Sequence, residues 1–135
     1  MAPSGWHVPT YAEWNTLLTY LSTTGYNYDG SLTGNKVAKS LAAKTVWSTR
    51  PETGAVGNDL TLNNKSGFSG LPGGRRHISF TDGGFLGFWW SSTDDDDMYQ
   101  KENALACMLA CYAPDFSNSS DYKNYGFSVR CVRDQ

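Results

Sequence analysis

Apolar residues recur at i, i+3, i+4, i+7 spacing through Trp14, Leu17, Leu18 and Leu21, which predicts an amphipathic helix with one buried stripe. Its start is marked by Thr10 followed three residues later by Glu13, the capping-box pattern, so the helix begins at Tyr11; Gly25 supplies a stop. A second, shorter helix is expected from about Asn35 to Ala43, with Val37 and Leu41 inward and Lys36, Lys39 and Lys44 outward. From Trp47 to Gly87 closely spaced glycines interrupt short apolar pieces, which predicts a long structured loop region, with a turn at Pro72-Gly73-Gly74. Phe85 to Thr93 reads as a strand by its aromatic content. Phe127 to Val132 alternates as another, with Phe127, Val129 and Cys131 toward the core. Asn103 to Tyr112 fits two patterns. Its alanines, leucines and methionine favour helix, yet Leu105, Cys107, Leu109 and Cys111 also alternate with Ala106, Met108, Ala110 and Tyr112. Local sequence leaves both open.

The chain has 135 residues, enough for one domain around one core. Its 14% aromatic content and 14 glycines add an aromatic-studded, loop-rich character to the mixed helix and strand pattern, an α+β domain. A net charge of −2 provides no basic footprint, which argues against nucleic acid as a partner. No apolar run approaches the roughly 20 residues of a spanning helix, so membrane insertion by this chain is not expected. Met1 to Trp6 has neither a basic region nor a hydrophobic segment, so an export signal would have to lie outside this chain. Three cysteines, Cys107, Cys111 and Cys131, permit at most one internal bridge and suit buried thiols equally well.

Four segments carry a family resemblance: Gly5-Trp6-His7-Val8-Pro9-Thr10-Tyr11-Ala12-Glu13-Trp14, Gly67-Phe68-Ser69-Gly70-Leu71-Pro72-Gly73-Gly74-Arg75, Trp89-Trp90-Ser91-Ser92-Thr93, and Gly126-Phe127-Ser128-Val129-Arg130-Cys131-Val132-Arg133-Asp134. In order and spacing they resemble the Fibrobacter succinogenes major paralogous domain. That resemblance implies a C-type lectin-like fold, related to the formylglycine-generating architecture, in bacterial surface or secreted proteins often found in gut Bacteroidales. It places an N-terminal helix beside a small antiparallel sheet, with long loops carrying the ligand surface. The family cysteine that precedes Pro-Ser-Gly-Trp is replaced here by Ala2, which leaves Cys131 without that partner.

The segment between Trp90 and Gly126 is also similar to the variable regions of proteins diversified by retroelements. Carried over, that similarity makes Ala106, Met108, Ala110 and Tyr112 outward, continuing through Ala113, Pro114, Ser117, Ser119, Ser120, Asp121, Tyr122, Asn124 and Tyr125. Asp95, Asp97 and Tyr99 in the flanking loop complete the expected ligand-binding set, with Met108 and Tyr112 as its apolar anchor and Phe116 inward. The tyrosines lie among Ser, Asn, Asp and Ala, the mixture that binding loops use. The implied partner is a protein or glycan on a cell or phage/host surface, located outside the cell, with no cofactor. A fixed carbohydrate-binding module is the second reading and an enzyme of the formylglycine-generating type the third.

Asp94-Asp95-Asp96-Asp97 lacks the alternating spacing of a calcium loop and reads as solvated. Cys107 and Cys111 could share zinc on a helix but stand about 13 Å apart on a strand. His7 and His77 are isolated from any ligand pattern, and no reactive-thiol motif argues for catalysis. Trp6, Trp14, Trp89, Trp90 and Phe127 are expected in the core.

Overall fold

The computed structural model describes residues 2–97 and 99–135 as an α+β assembly of two helices and small antiparallel sheets. Helix α1 runs Tyr11–Thr23 and opens on the expected cap: Thr10 accepts from the Glu13 amide, and the Glu13 carboxylate accepts from the Thr10 amide at 2.8 Å. Its stripe packs as the spacing requires, Trp14 and Leu21 buried and Leu17 and Leu18 against them. Past Thr24, Gly25 takes the left-handed conformation, φ +84, that ends helices. Helix α2 is only Ala38–Leu41. Asn35 does not extend it, because its side chain pairs with the Phe116 backbone, accepting from N–H at 3.0 Å and donating to C=O at 2.9 Å. Val37 and Leu41 are buried as expected; Lys39 is not outward but buried.

Strand β1 (Trp6–His7) pairs with β7 (Val132–Arg133), β2 (Arg75–Arg76) with β3 (Phe80–Thr81), and β4 (Leu86–Asp94), β5 (Asn103–Ala110) and β6 (Ser117–Tyr122) form a three-stranded antiparallel sheet. The ambiguous segment is therefore a strand: β4 and β6 satisfy its backbone on both sides, and that pairing outweighs its helix-favouring composition. One sheet face, with Trp89, Cys107 and Leu109, packs on Trp14, Leu21, Val37, Leu41, Trp47 and Val56. Trp14, Phe68, Phe116 and Trp89 meet edge to face, with centroids 5.7 to 6.0 Å apart.

The Pro72 turn is a three-residue one, Gly73 N–H donating to Leu71 C=O at 2.9 Å. It lets the chain cross the start of β4 at a Gly74–Gly87 bridge. A Cβ on Gly74, at φ +65, would lie 2.1 Å from the Thr81 carbonyl oxygen, and one on Gly87 would lie 2.7 Å from that of Leu71. Both positions exclude any side chain. The expected strand over Phe127 to Val132 is not formed; Ser128 alone bridges β4, beside Trp89, and only Val132 is in a strand. Val129 is 41% exposed, Phe127 and Cys131 are half-buried, and Trp6, expected in the core, is 45% exposed.

Candidate functional site

Strand register sorts the expected binding residues onto defined faces. Opposite the core, Leu86, Phe88 and Trp90 of β4 align with Ala110, Met108 and Ala106 of β5, and Ala106 and Met108 align with Ser119 and Ser117 of β6. Ala104 aligns with Asp121 on the same face. The alternation in the sequence thus predicts the face correctly, but not its exposure. Ala106 and Ala110 are 0% and 2% exposed, so they form a floor and not a contact surface. Met108, Ser117, Ser119 and Asp121 are half-buried. Cys107, Leu109 and Cys111 are buried toward the core, as is Phe116. Tyr112 is exposed, Ala113 and Pro114 partly covered, and Asn124 exposed. Met108 and Tyr112 do not meet as a strand pair, since β5 ends at Ala110 and Tyr112 lies in the turn beyond it.

The segment after β6 packs over the β4 side of this face. Phe127 stacks on both Phe88 and Trp90, with centroids at 4.5 and 4.3 Å. Tyr125 meets Phe127 edge to face at 6.3 Å and lies 5.8 Å from Tyr122 and 4.6 Å from His77. The β2–β3 hairpin joins the same surface through a reciprocal backbone pair between Arg76 and Gly126, at 2.9 and 2.7 Å. Arg75 lies over the Phe88 ring at 5.7 Å while its Nε pairs with Asp82 at 2.9 Å. Ile78 and Phe80, at 86% and 81% exposure, project from this hairpin. Sequence reasoning placed the site within residues 94–125 and missed the hairpin. Its signal was present: Ile78 and Phe80 alternate with polar residues between Gly74 and the Gly83-Gly84 pair.

Next to this aromatic row a polar cavity of about 500 Å³ is lined by Arg75, Tyr99, Asn103, Asp121, Tyr122 and Tyr125, among others. Tyr99 and Tyr122 are 89% and 55% exposed on its rim. Asn103 is 8% exposed; its Nδ2 donates to Gln100 and Ser120, and its Oδ1 is buried without a partner. The aspartate run does not line the cavity but bonds to two residues that do, Tyr99 and Ser120. Asp95 accepts from the Asp97 amide at 3.0 Å and from the Ser120 hydroxyl, and Asp97 accepts from the Tyr99 amide at 2.9 Å. The Ser120 hydroxyl, followed by the Asp97 amide, holds the Asp95 carboxyl below its usual value. Asp94 pairs with Lys123 at 3.0 Å. Asp95 is half-buried and Asp97 exposed. Three of these four carboxylates are therefore occupied with their own loop or with the end of β6. Among the described residues no three His, Cys, Asp or Glu side chains gather as a metal site.

The remaining candidates serve the scaffold. His7 lies between Asp134 and Glu13, its Nδ1 2.7 Å from Asp134 and its Nε2 2.8 Å from Glu13. Hydrogen bonds to Asp134 and then Glu13 raise its pKa; the Thr10 amide, then His7, lower that of Glu13. Cys107 and Cys111 are buried on the core side of the sheet. Burial pushes the Cys107 thiol up to about 12, and Cys111 Sγ accepts from Arg50 at 3.2 Å. All three cysteines are free thiols. No helix among the described residues is long and apolar enough to cross a membrane.

The profile of the Fibrobacter succinogenes major domain matches residues 1–133. No curated protein and no solved structure matches the chain.

Proposed function

Since the chain belongs to the Fibrobacter succinogenes major domain family, we propose that it is a non-catalytic, C-type lectin-like ligand-binding domain of a bacterial surface or secreted protein. Its ligand is a protein or other cell-surface molecule, met by the 94–125 region, and that region is diversified by a retroelement. The observation that carries this reading is the division of labour along the chain. Motif residues Thr10, Trp14, Gly74 and Trp89 build cap, crossing and core. Tyr99 and Tyr122 instead stand exposed beside a polar cavity, on a loop and an edge strand of Ser, Asn and Asp, and Tyr112 stands exposed in the turn past the far end of β5. Exposed tyrosines supply contact area at low entropic cost. The contacting set is Tyr99, Tyr112, Tyr122 and Asn124, with Asp97, Ser117, Ser119 and Asp121 at its margin; Ala106 and Ala110 lie beneath it.

The test is sequencing of the gene's 3′ half across a natural population of its source. Variation at the Tyr99, Tyr112, Tyr122 and Asn124 codons, with Leu109 and Gly126 to Cys131 constant, is the expected result. A uniform sequence would overturn diversification. A glycan array with and without calcium would then examine the fixed carbohydrate-binding reading, for which the tyrosine rim beside amide and carboxylate groups is the relevant observation.

A further inference from the structure

Lys39 sits in the interior at 5% exposure, and no ion pair of the described residues includes it. Its Nζ donates to three main-chain carbonyls: Ala55 at 3.3 Å, Asp59 at 3.2 Å, and Asn58. Carbonyl oxygens only accept. An ammonium carries three hydrogens and a neutral amine two, so three carbonyl partners match the charged form. Burial opposes that charge and pulls the Lys39 pKa down, while the Asp59 carboxylate favours it. A buried cation is tolerated only where polar groups replace its water, and here the polar groups are backbone oxygens turned toward one point.

Those oxygens belong to a strap that also grips the candidate binding region. On the strap, Val56 N–H donates to Ala113 C=O at 3.3 Å and Gly57 N–H to Cys111 C=O at 2.7 Å. Asp59, which ends the strap, is held in the left-handed region at φ 45. Carbonyls facing Lys39 and amides facing the β5–β6 connection thus belong to the same few residues. We propose that the carbonyls of Ala55, Asn58 and Asp59 form a monovalent-cation site, filled by Lys39 as a tethered ammonium, and that its occupancy holds the 55–59 strap against the Cys111–Pro114 loop. Lys39 is then a positioning residue for the loop that presents Tyr112. The inference is independent of ligand binding, because its readouts are local protection and stability.

Two variants test it. Lys39→Met keeps the apolar stem and removes the charge; Lys39→Ala removes atoms equivalent to n-propylammonium. In Lys39→Met, amide exchange at Val56 and Gly57 should accelerate at least about tenfold while α1 keeps its protection. In Lys39→Ala, Tm should fall by roughly 5 to 10 °C. Added n-propylammonium chloride should restore part of that loss, whereas tetramethylammonium chloride or propanol should not, and the unsubstituted protein should not respond. If Lys39→Ala does not fold alone, refolding yield with each additive gives the same comparison. Unchanged exchange at Val56 and Gly57 in Lys39→Met would overturn the strap's dependence on the charge. No difference between the two cations in Lys39→Ala would overturn the cation site.

Discussion

Both ring nitrogens of His7 face carboxylates, Asp134 and Glu13, and a neutral imidazole can donate to only one of them. The protonated ring satisfies both, which is why its folded pKa lies above the ordinary 6.5. Between those two values the folded protein binds more protons than the unfolded chain. The His7 contribution is therefore complete below about pH 6.5 and is lost as pH rises through the folded value. Glu13 has the opposite sign: its folded pKa lies below 4.5, so its contribution is present above 4.5 and lost as pH falls through the folded value. Thermal melts across pH should show a decline on the alkaline side that disappears in His7→Asn; persistence of the same slope would refute this account. The thiols offer a second measurement. Cys107 and Cys111 are buried and Cys131 is half-buried, so iodoacetamide should label Cys131 first and reach Cys107 only on unfolding, as mass spectrometry of timed samples would show.

Among the elements, α1 was legible because its determinants are local. Thr10, Glu13 and the Trp14 to Leu21 stripe all lie within 12 residues, and the observed helix uses every one. Thr10→Ala removes the side-chain acceptor of the cap and should cost about 1 kcal/mol in denaturant unfolding. The strand β5 was not legible in type, because its conformation is imposed by partners distant in sequence. Asn35 shows the same limit for α2: its bond to Phe116 spans the chain and removes a turn that composition alone would allow. The candidate site was legible in face but not in depth. Period-two alternation assigned Ala106 and Ala110 to the correct side of the sheet; nothing local announced that Phe127 would stack on Phe88 and Trp90 of that side, 39 and 37 residues away. Truncation of Phe127 should accordingly uncover Phe88 and Trp90, with a stability loss of about 2 kcal/mol and a shifted Trp emission as Trp90 gains water.

At the scale of the whole molecule, the first strand pairs with the last. Trp6 lies opposite Arg133 and His7 opposite Val132, and the Asp134 amide donates to the Gly5 carbonyl at 2.9 Å. His7 fastens the same junction through Asp134, and its contact with Glu13 carries the junction to the start of α1. The Trp6 amide donates to Pro3, so the pairing is read at His7, opposite Val132: removing residues 131–135 should leave α1 and the three-stranded sheet able to form but abolish exchange protection at the His7 amide and lower the melting temperature. Full protection at His7 in that truncation would contradict the assigned pairing. Closing so long a loop is entropically slow, and contacts this distant in sequence come late in folding. The consequence is one of timing during synthesis. A nascent chain on the ribosome has made β1 well over 100 residues before Val132 and Arg133, and has nothing to pair it with until they follow. The domain can therefore be completed only once Val132 to Asp134 have emerged, and until then Trp6 and His7 wait unpaired.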